Sequence, residues 1–385
     1  MAFIEKVTGP RRGTRYRVRY RDPSGRHRSE TFRRRKDAEE RLHQIEVELR
    51  GGTWRDPSAA RATVAERARA WLGGLQHLRP STRAQYAWAV ERYIVPGLGD
   101  LALGALRPDT VRRFLGDLLG GGAGARTVVV VRQVLHAMLE EAVRDGVIAS
   151  NPVRYAKAPR VERRELRIPT PEEVERLVEA TEEAWRPLVL LLAYGGLRIG
   201  EALGLQRRDL DLLARRVHVR RQAVEVGGRV ELAEVKTPSA RRVVALPGFV
   251  ADALARHLDG RPELSEALVF ADSRGGPVRR TNWRRRVWEP AVRRADLEGL
   301  RPHDLRHFAA TVAVAAGAHP RMLQARLGHS TSRVTMDVYA SVLPGLDDEL
   351  ALRLEEIREA AQRRASGGGR VLPLRRDGEG PVLSP

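Results

Sequence analysis

The sequence predicts a multidomain protein that is mainly α-helical with small sheets, in the α+β class. The chain has 385 residues and is 42% apolar, enough for two or three domains with their own cores. Helical periodicity covers most of it, short period-2 segments occur in two regions, and clusters of Gly and Pro separate the groups. We expect an N-terminal domain, a helical domain, a mixed α/β domain and a disordered tail, at residues 1–57, 63–160, 163–364 and 365–385.

The chain is strongly basic and contains no cysteine. Lys and Arg number 69 against 49 Asp and Glu, which gives a formal net charge of +20. This charge favours a polyanionic partner, either nucleic acid or an anionic membrane surface. The absence of cysteine excludes disulfides, thiolate zinc sites and cysteine nucleophiles. The start has no apolar signal region and Pro187–Leu197 is too short to span a membrane, so we expect a soluble cytoplasmic protein.

Residues 1–57 read as two strands and a helix. Tyr16, Val18 and Tyr20 alternate with arginines, which predicts a strand with one apolar and one basic face. A returning strand over Arg26–Phe32 and a helix over Asp37–Arg50 follow. Basic strands on so small a domain favour nucleic-acid binding over a merely solvated sheet. The predicted DNA-binding residues are Arg15, Arg17, Arg19, Arg33 and Arg34.

The helical domain carries no assigned chemistry. Thr63 with Glu66 is a capping-box signature that opens its first helix. Glycine and proline clusters end the later helices, the second at Pro96-Gly97. The four helices are expected at Thr63–Trp71, Ser81–Ile94, Pro108–Gly120 and Ala125–Asp145.

The third domain mixes helices with short strands. Thr170 to Glu173 forms another capping box, with Pro at the first helical position. Period-2 or β-branched segments predict strands at Arg216–Arg221, Val230–Val235, Arg242–Leu246 and Leu268–Phe270.

The segment from His303 to His307 follows a proline and is expected to open a helix. His303 and Arg306 are three residues apart, and His303 and His307 four, so all three share a face. A helix N-terminus with His and Arg suits an oxyanion or a phosphate. Taken alone, such a pair is more often an ordinary surface pair, and His307 is expected to be structural.

Three other motifs are equally modest when each is taken alone. A Gly-Gly turn should leave Arg198 at the start of a helix, where Glu201 one turn later either orients the guanidinium or only caps the helix. Lys236, the only Lys between 158 and 385, is expected at a β-hairpin tip, as a general acid with a lowered pKa or as an exposed lysine. His329 follows Leu-Gly, and Tyr339 lies ten residues later on a short amphipathic segment, where a lone tyrosine ordinarily belongs to a core or an interface.

The order of these residues resembles the tyrosine recombinase (phage integrase) family, of the integrase type with an N-terminal arm-binding domain. That family's signature is two arginines, a hairpin lysine, two histidines and a late tyrosine, and the similarity covers about residues 163–345. Residues 63–160 look like its helical (SAM-like) core-binding domain and residues 1–57 like its arm-type DNA-binding domain. The sequence departs from the family pattern at two positions, neither of which has a chemical role. Phe308 stands where a small hydroxylated residue is common, and Ser341 stands where a His is frequent. The matching residues here are Arg198, Lys236, His303, Arg306, His329 and Tyr339.

The resemblance implies DNA strand exchange through a 3′-phosphotyrosine. Tyr339 would attack the scissile phosphate, Lys236 would protonate the leaving 5′-oxygen, and His303 would assist proton removal from the tyrosine.

Fixed positive charge would hold the phosphate. Arg198 and Arg306, with a hydrogen bond from His329, would bind the non-bridging oxygens. Glu201 and His307 would give structural support. Since the arginines would take the place of a metal, we expect no metal and no cofactor. The covalent bond would keep the phosphodiester energy, so no ATP is expected either, consistent with the absence of a phosphate-binding loop motif.

The implied partners are double-stranded DNA attachment sites, three further copies of the chain in a homotetramer, and a DNA-bending or excisionase factor. The apolar stripe after Tyr339, which includes Leu354 and Ile357, would dock either on a neighbouring protomer or on its own core.

Other functions compete with an integrase. A housekeeping recombinase that resolves chromosome dimers lacks an arm-binding unit, so residues 1–57 favour the integrase of a prophage or other mobile element. A type IB topoisomerase shares the chemistry, but its layout and length fit less well. A non-catalytic DNA-binding protein derived from an integrase is the alternative from another class.

Overall fold

The computed structural model describes two compact units, Met1–Arg164 and Glu165–Pro385. The described residues are 2–9, 13–52, 54, 56, 59–162, 167–235, 237–261, 263–328, 352 and 354–363. The tail 365–385 lies outside them. Within the described part of the chain, no helix combines the length and apolar character needed to cross a membrane.

The first unit begins with a three-stranded antiparallel sheet in the order β1-β2-β3, followed by α1. Val18 and Tyr20 lie on one face of β2 and pack on Ala38 and Ile45 of α1, so the alternation predicted for β2 is confirmed. Strand β1 was not predicted, because its alternation is broken by charged residues on both faces. The elements are β1 Phe3–Gly9, β2 Gly13–Arg21, β3 His27–Phe32 and α1 Arg35–Arg50.

Helices packed on a separate apolar cluster complete the first unit. Thr63 and Glu66 form the predicted capping box. The predicted stop at Pro96-Gly97 is wrong, because a π turn over Val90–Ile94 carries the helix on to Leu98. The i→i+5 bonds of this turn precede Pro96, whose missing N–H would interrupt a regular helix. The helices are α2 Val64–Gly74, α3 Pro80–Ala89, α4 Val95–Leu98, α5 Pro108–Gly120 and α6 Ala125–Arg144.

The second unit surrounds one large hydrophobic core with helices and two small antiparallel sheets, ordered β4-β5-β8 and β6-β7. Its helices are α7 Pro171–Ala180, α8 Arg186–Gly195, α9 Ile199–Leu203, α10 Gly248–Leu258, α11 Arg280–Trp283, α12 Glu289–Arg294, α13 Asp304–Ala315 and α14 Pro320–Leu327. Its strands are β4 Leu210–Asp211, β5 Arg216–Val219, β6 Arg221–Val226, β7 Arg229–Glu234 and β8 Arg242–Ala245.

One predicted strand of the second unit is absent. Leu268 makes only an isolated bridge to Gln206, and Val269 and Phe270 are buried in the core. The apolar run at 268–270 therefore reflects burial in the core and not strand pairing. The capping box at Thr170 and Glu173 is confirmed at the start of α7.

Candidate active site

Arg198 and Glu201 form the centre of a charged cluster in the second unit. Gly196 ends α8 in the left-handed conformation, with φ of 67°, and Arg198 is the N-cap of α9. A Glu201 oxygen accepts a hydrogen bond from the Arg198 backbone N–H at 2.9 Å, and the other accepts from Arg198 Nη1 at 2.7 Å. Glu201 therefore both caps the helix and orients the guanidinium, so the two alternatives posed by the sequence hold together.

Arg306 lies in the first turn of α13 and is buried, with 3% of its surface exposed. Its Nη1 donates to the Gly196 carbonyl at 2.6 Å, and its Nη2 donates to the Leu327 carbonyl. Burial, together with the charge of Arg198, lowers the pKa of Arg306 to about 9. The side chain therefore stays protonated at neutral pH.

Arg242 joins this cluster although no sequence motif singled it out. Its Nη1 and Nη2 donate to the two Glu201 oxygens at 3.2 and 2.9 Å. Its Nε donates to the Arg326 carbonyl at 2.7 Å, and Nη1 also reaches the Ala240 carbonyl at 3.0 Å. The available signal was its register in β8, where it points the same way as the buried Val244.

Glu201 is therefore a buried carboxylate between two arginines. Burial by itself would raise the pKa of Glu201, but hydrogen bonds and charge from Arg242, with the amide and charge of Arg198, outweigh it and hold the pKa below its usual range. The carboxylate stays ionised, as a partner of two cations must.

Three arginines converge on the C-terminus of α14. Arg242, Arg306 and Arg198 donate to the carbonyls of residues 326, 327 and 328 in turn, the last at 3.4 Å. These carbonyls have no partner within the helix, and cations are favourable at this end of its dipole. Gly328 has φ of 65°, and a Cβ there would lie 2.9 Å from the Ser239 carbonyl oxygen.

Arg326 is a second residue that sequence reasoning missed. Its Nη2 donates to the Tyr194 carbonyl at 2.8 Å and its Nη1 to the Ala245 carbonyl at 2.9 Å. It therefore joins the last turn of α14 to the last turn of α8 and to the end of β8.

His303 and His307 stack edge-to-face beside the arginines. Their ring centroids are 5.1 Å apart and their planes are perpendicular. Desolvation by the surrounding packing, then the charges of His307, Arg306 and Arg198, lower the pKa of His303 to about 4. Since His303 also has an exposed surface, water screens part of this effect, but its direction follows from the neighbouring cations. The shared face predicted for this segment is confirmed.

Half of the predicted catalytic residues lie outside the described residues, namely Lys236, His329 and Tyr339. The strands on either side of Lys236 are described, and they contradict the predicted hairpin. β7 pairs with β6, and β8 pairs with β5, so the flanking strands belong to different sheets. The hairpin turn in this region is Gly227-Gly228, because two glycines with positive φ fit the tight connection of β6 to β7.

The predicted DNA-binding arginines lie at two places in the N-terminal domain. Arg15, Arg17 and Arg19 lie on the face of β2 opposite Val18 and Tyr20, which pack against α1. Arg19 pairs with Glu5 of the adjacent strand at 3.6 Å. Arg33 and Arg34 are exposed between β3 and α1.

Comparison with known proteins assigns the class. The phage integrase family model matches residues 168–344, the region that contains the arginine cluster. The integrase of Mycobacterium phage FRAT1 is 30% identical over 308 residues, covering 78% of this chain and 90% of that protein. The chain therefore belongs to the phage integrase family and is a site-specific tyrosine recombinase.

Other relatives extend the likeness across the chain. The integrase of Mycobacterium phage L5 is 29% identical and covers 86% of this chain and 91% of its own length. Among solved structures, the Tn1549 transposon integrase in complex with a circular intermediate DNA matches with a TM-score of 0.65 at 20% identity, over 72% of this chain and 95% of that one. A lambda integrase tetramer bound to a Holliday junction matches with a TM-score of 0.53 at 20% identity, over 83% of this chain and 91% of that one. At this level of identity, the structural matches establish the fold.

Proposed function

We propose that this recombinase integrates and excises a prophage or other mobile element by cutting and rejoining duplex DNA at attachment sites. The arginine cluster around Glu201 carries the proposal, because it gathers fixed positive charge where phosphoryl transfer needs it. The integrases of phages L5 and FRAT1 support the mobile-element role.

Arg198 and Arg306 bind the non-bridging oxygens of the scissile phosphate. The Arg198 side chain is 39% exposed, so it can meet a ligand while Glu201 holds its other edge. Each terminal nitrogen of Arg306 carries a second N–H beyond the one given to a carbonyl. A guanidinium fork matches two phosphate oxygens in a way that a lysine does not.

The covalent step uses the residues that follow in the chain. The Tyr339 oxygen forms a bond to phosphorus while the bond from phosphorus to the 5′-oxygen breaks. Lys236 gives its proton to that 5′-oxygen, His303 accepts the tyrosine proton, and His329 donates a hydrogen bond to a non-bridging oxygen. The phosphotyrosine keeps the phosphodiester's free energy, so attack by another strand's 5′-hydroxyl reverses the step without ATP.

The environment of His303 supports its role as proton acceptor. A lowered pKa makes the ring neutral at pH 7, and a neutral imidazole is the form that can accept a proton. Burial is the main cause of the lowered pKa, and the charges of His307, Arg306 and Arg198 act in the same direction.

The N-terminal sheet supports contact with a second DNA site. Arg15, Arg17 and Arg19 project from one strand, at the spacing of alternate residues, and Arg33 and Arg34 add charge at its end. Such contacts to phosphates give affinity that falls steeply with salt.

The active assembly is a homotetramer on two DNA segments, in the cytoplasm where the DNA lies, with a DNA-bending or excisionase factor that sets direction. The lambda integrase tetramer on a Holliday junction supports the stoichiometry. The exposed Leu354 and Ile357 in the helical segment 354–363 suit docking on a neighbouring protomer.

Covalent capture tests the proposal. The purified chain is incubated in EDTA with sheared genomic DNA of the organism that carries it, denatured in SDS, and the linked fragments are sequenced, with Tyr339→Phe as control. We expect adducts enriched at one locus, the attachment site, and none with the variant. Adducts spread without preference would favour a topoisomerase, a locus at the chromosome terminus would favour a dimer-resolving recombinase, and salt-sensitive binding without adducts would favour a non-catalytic protein.

A further inference from the structure

Glu201 and Arg242 form a buried ion pair next to the proposed phosphate site. The side chains of Glu201 and Arg242 are 3% and 5% exposed, whereas that of Arg198 is 39% exposed. A carboxylate in such a place is strongly destabilising unless a cation compensates it. Two cations share this carboxylate, and only one of them reaches solvent.

The sharing sets the charge available to a ligand. With Arg198 alone, Glu201 would form a neutral pair, and an incoming phosphate would compete with the carboxylate for the same guanidinium. Arg242 occupies both Glu201 oxygens from the other side, at 3.2 and 2.9 Å. The three side chains together therefore keep one net positive charge, and that charge is on the exposed arginine.

Arg242 also connects the segments that carry the remaining proposed catalytic residues. It binds the carbonyl of Ala240, four positions after Lys236, and the carbonyl of Arg326, three positions before His329. One buried guanidinium thus joins Glu201, Ala240 and Arg326, which come from three separate segments of the chain.

From this geometry we infer that Arg242 is a positioning residue, which offsets the charge of Glu201 so that Arg198 stays free to bind the scissile phosphate. The inference rests on the recombinase chemistry proposed above. Arg242 touches no reacting atom in this arrangement and acts through Glu201 and Arg198.

Rescue by a second substitution distinguishes this positioning role from a purely structural one. Arg242→Met keeps the length of the side chain and removes its charge, and we expect adduct formation to slow by about 100-fold. Adding Glu201→Gln removes the charge that Arg242 offsets, so the double variant should recover at least about tenfold over Arg242→Met. Arg256→Met, at an exposed position of α10, is the matched control and should retain the rate of the parent protein.

A second readout needs no cleavage of DNA. Tungstate, a tetrahedral oxyanion, is titrated into each full-length variant by calorimetry, and Arg198→Met defines the part of the binding that belongs to this site. We expect Arg242→Met to weaken that part about tenfold, Arg242→Lys to keep it within about threefold, and the double variant to restore it. Arg242→Lys also covers the case in which Arg242→Met fails to fold.

The two readouts separate two failures. If the parent protein makes no adducts but the tungstate series behaves as expected, the recombinase function fails and the role of Arg242 toward Arg198 stands. If Arg242→Met binds tungstate as the parent does, or if the double variant is no better than the single one, the inference is overturned and Arg242 only braces the fold.

Discussion

The arginines of the N-terminal sheet and those of the candidate active site use the same side chain in opposite ways. On the sheet, Arg19 and its partner Glu5 are each nearly half exposed and 3.6 Å apart. In the active site, Arg242 and Arg306 are buried, and carbonyl or carboxylate oxygens fix their terminal nitrogens.

This difference suits the exposed arginines to binding affinity and the buried arginines to catalytic chemistry. Exposed arginines can follow a DNA backbone at many positions, but salt screens them and each contributes little alone. Buried arginines are fixed before the substrate arrives, in a medium of low dielectric where charge interactions are strong. Losses at the two places should therefore differ in kind as well as in size.

Removal of the carboxylate should break the buried cluster most severely. Glu201→Ala leaves Arg198 and Arg242 close together without their shared counter-charge, and we expect a loss of about 3–5 kcal/mol in local stability. Hydrogen exchange of the α8 and α13 amides measures it. Glu39→Ala, which removes an exposed i,i+4 pair of α1, should change its own helix by less than about 0.5 kcal/mol. Equal losses of stability for the two variants would contradict the expected difference between the buried cluster and the exposed pair.

A single methyl group at Gly196 should disturb the carbonyl that Arg306 binds. Gly196 has positive φ, and a Cβ there would lie 2.8 Å from Leu327 Cδ2, so Gly196→Ala should cost about 2–3 kcal/mol. Gly227→Ala meets nothing within 4 Å at a similar φ and should cost only about 1 kcal/mol. Urea unfolding of the second unit compares them, and similar midpoints for both variants would contradict the expected clash.

Loss of two arginines from the basic face of β2 should change binding without changing the fold. Arg17→Ala with Arg19→Ala should lower the slope of log affinity against log salt by about 2, while stability changes by less than about 0.5 kcal/mol. Fluorescence anisotropy with duplex DNA at several salt concentrations measures the slope. Arg50→Ala, at the far end of α1, is the control and should leave the slope unchanged.

The smallest effect concerns pH. The pKa of His303 is near 4 in the folded chain and near 6.5 when unfolded, so the unfolded state binds more protons between these values. Stability from this source is complete above about pH 6.5 and is lost as the pH falls toward 4. His303→Gln should flatten the fall of the urea midpoint over this window. A parallel fall in the variant would mean that other groups control it.

Sequence reasoning recovered the parts of the fold that depend on local pattern. Capping boxes at Thr63 and Thr170, and the N-cap position of Arg198, follow from side chains within four residues. It failed where partners are distant, as for Arg242, whose acceptor Glu201 is 41 positions away. The hairpin expected around Lys236 was wrong for the same reason, since strand pairing depends on the whole sheet. Phe308 is fully buried edge-on to Tyr194, so that departure from the family pattern is accommodated by packing.

The carbonyls at the end of α14 also constrain when the enzyme becomes active during synthesis. Their arginine partners are 84, 21 and 130 positions away in sequence. The contacts separated by 84 and 130 positions require closure of long loops, which costs chain entropy. During synthesis, Arg198 is made well before α14, whose last carbonyls it contacts in the folded chain. We therefore expect nascent or truncated chains that lack α14 to be unable to assemble this charged cluster.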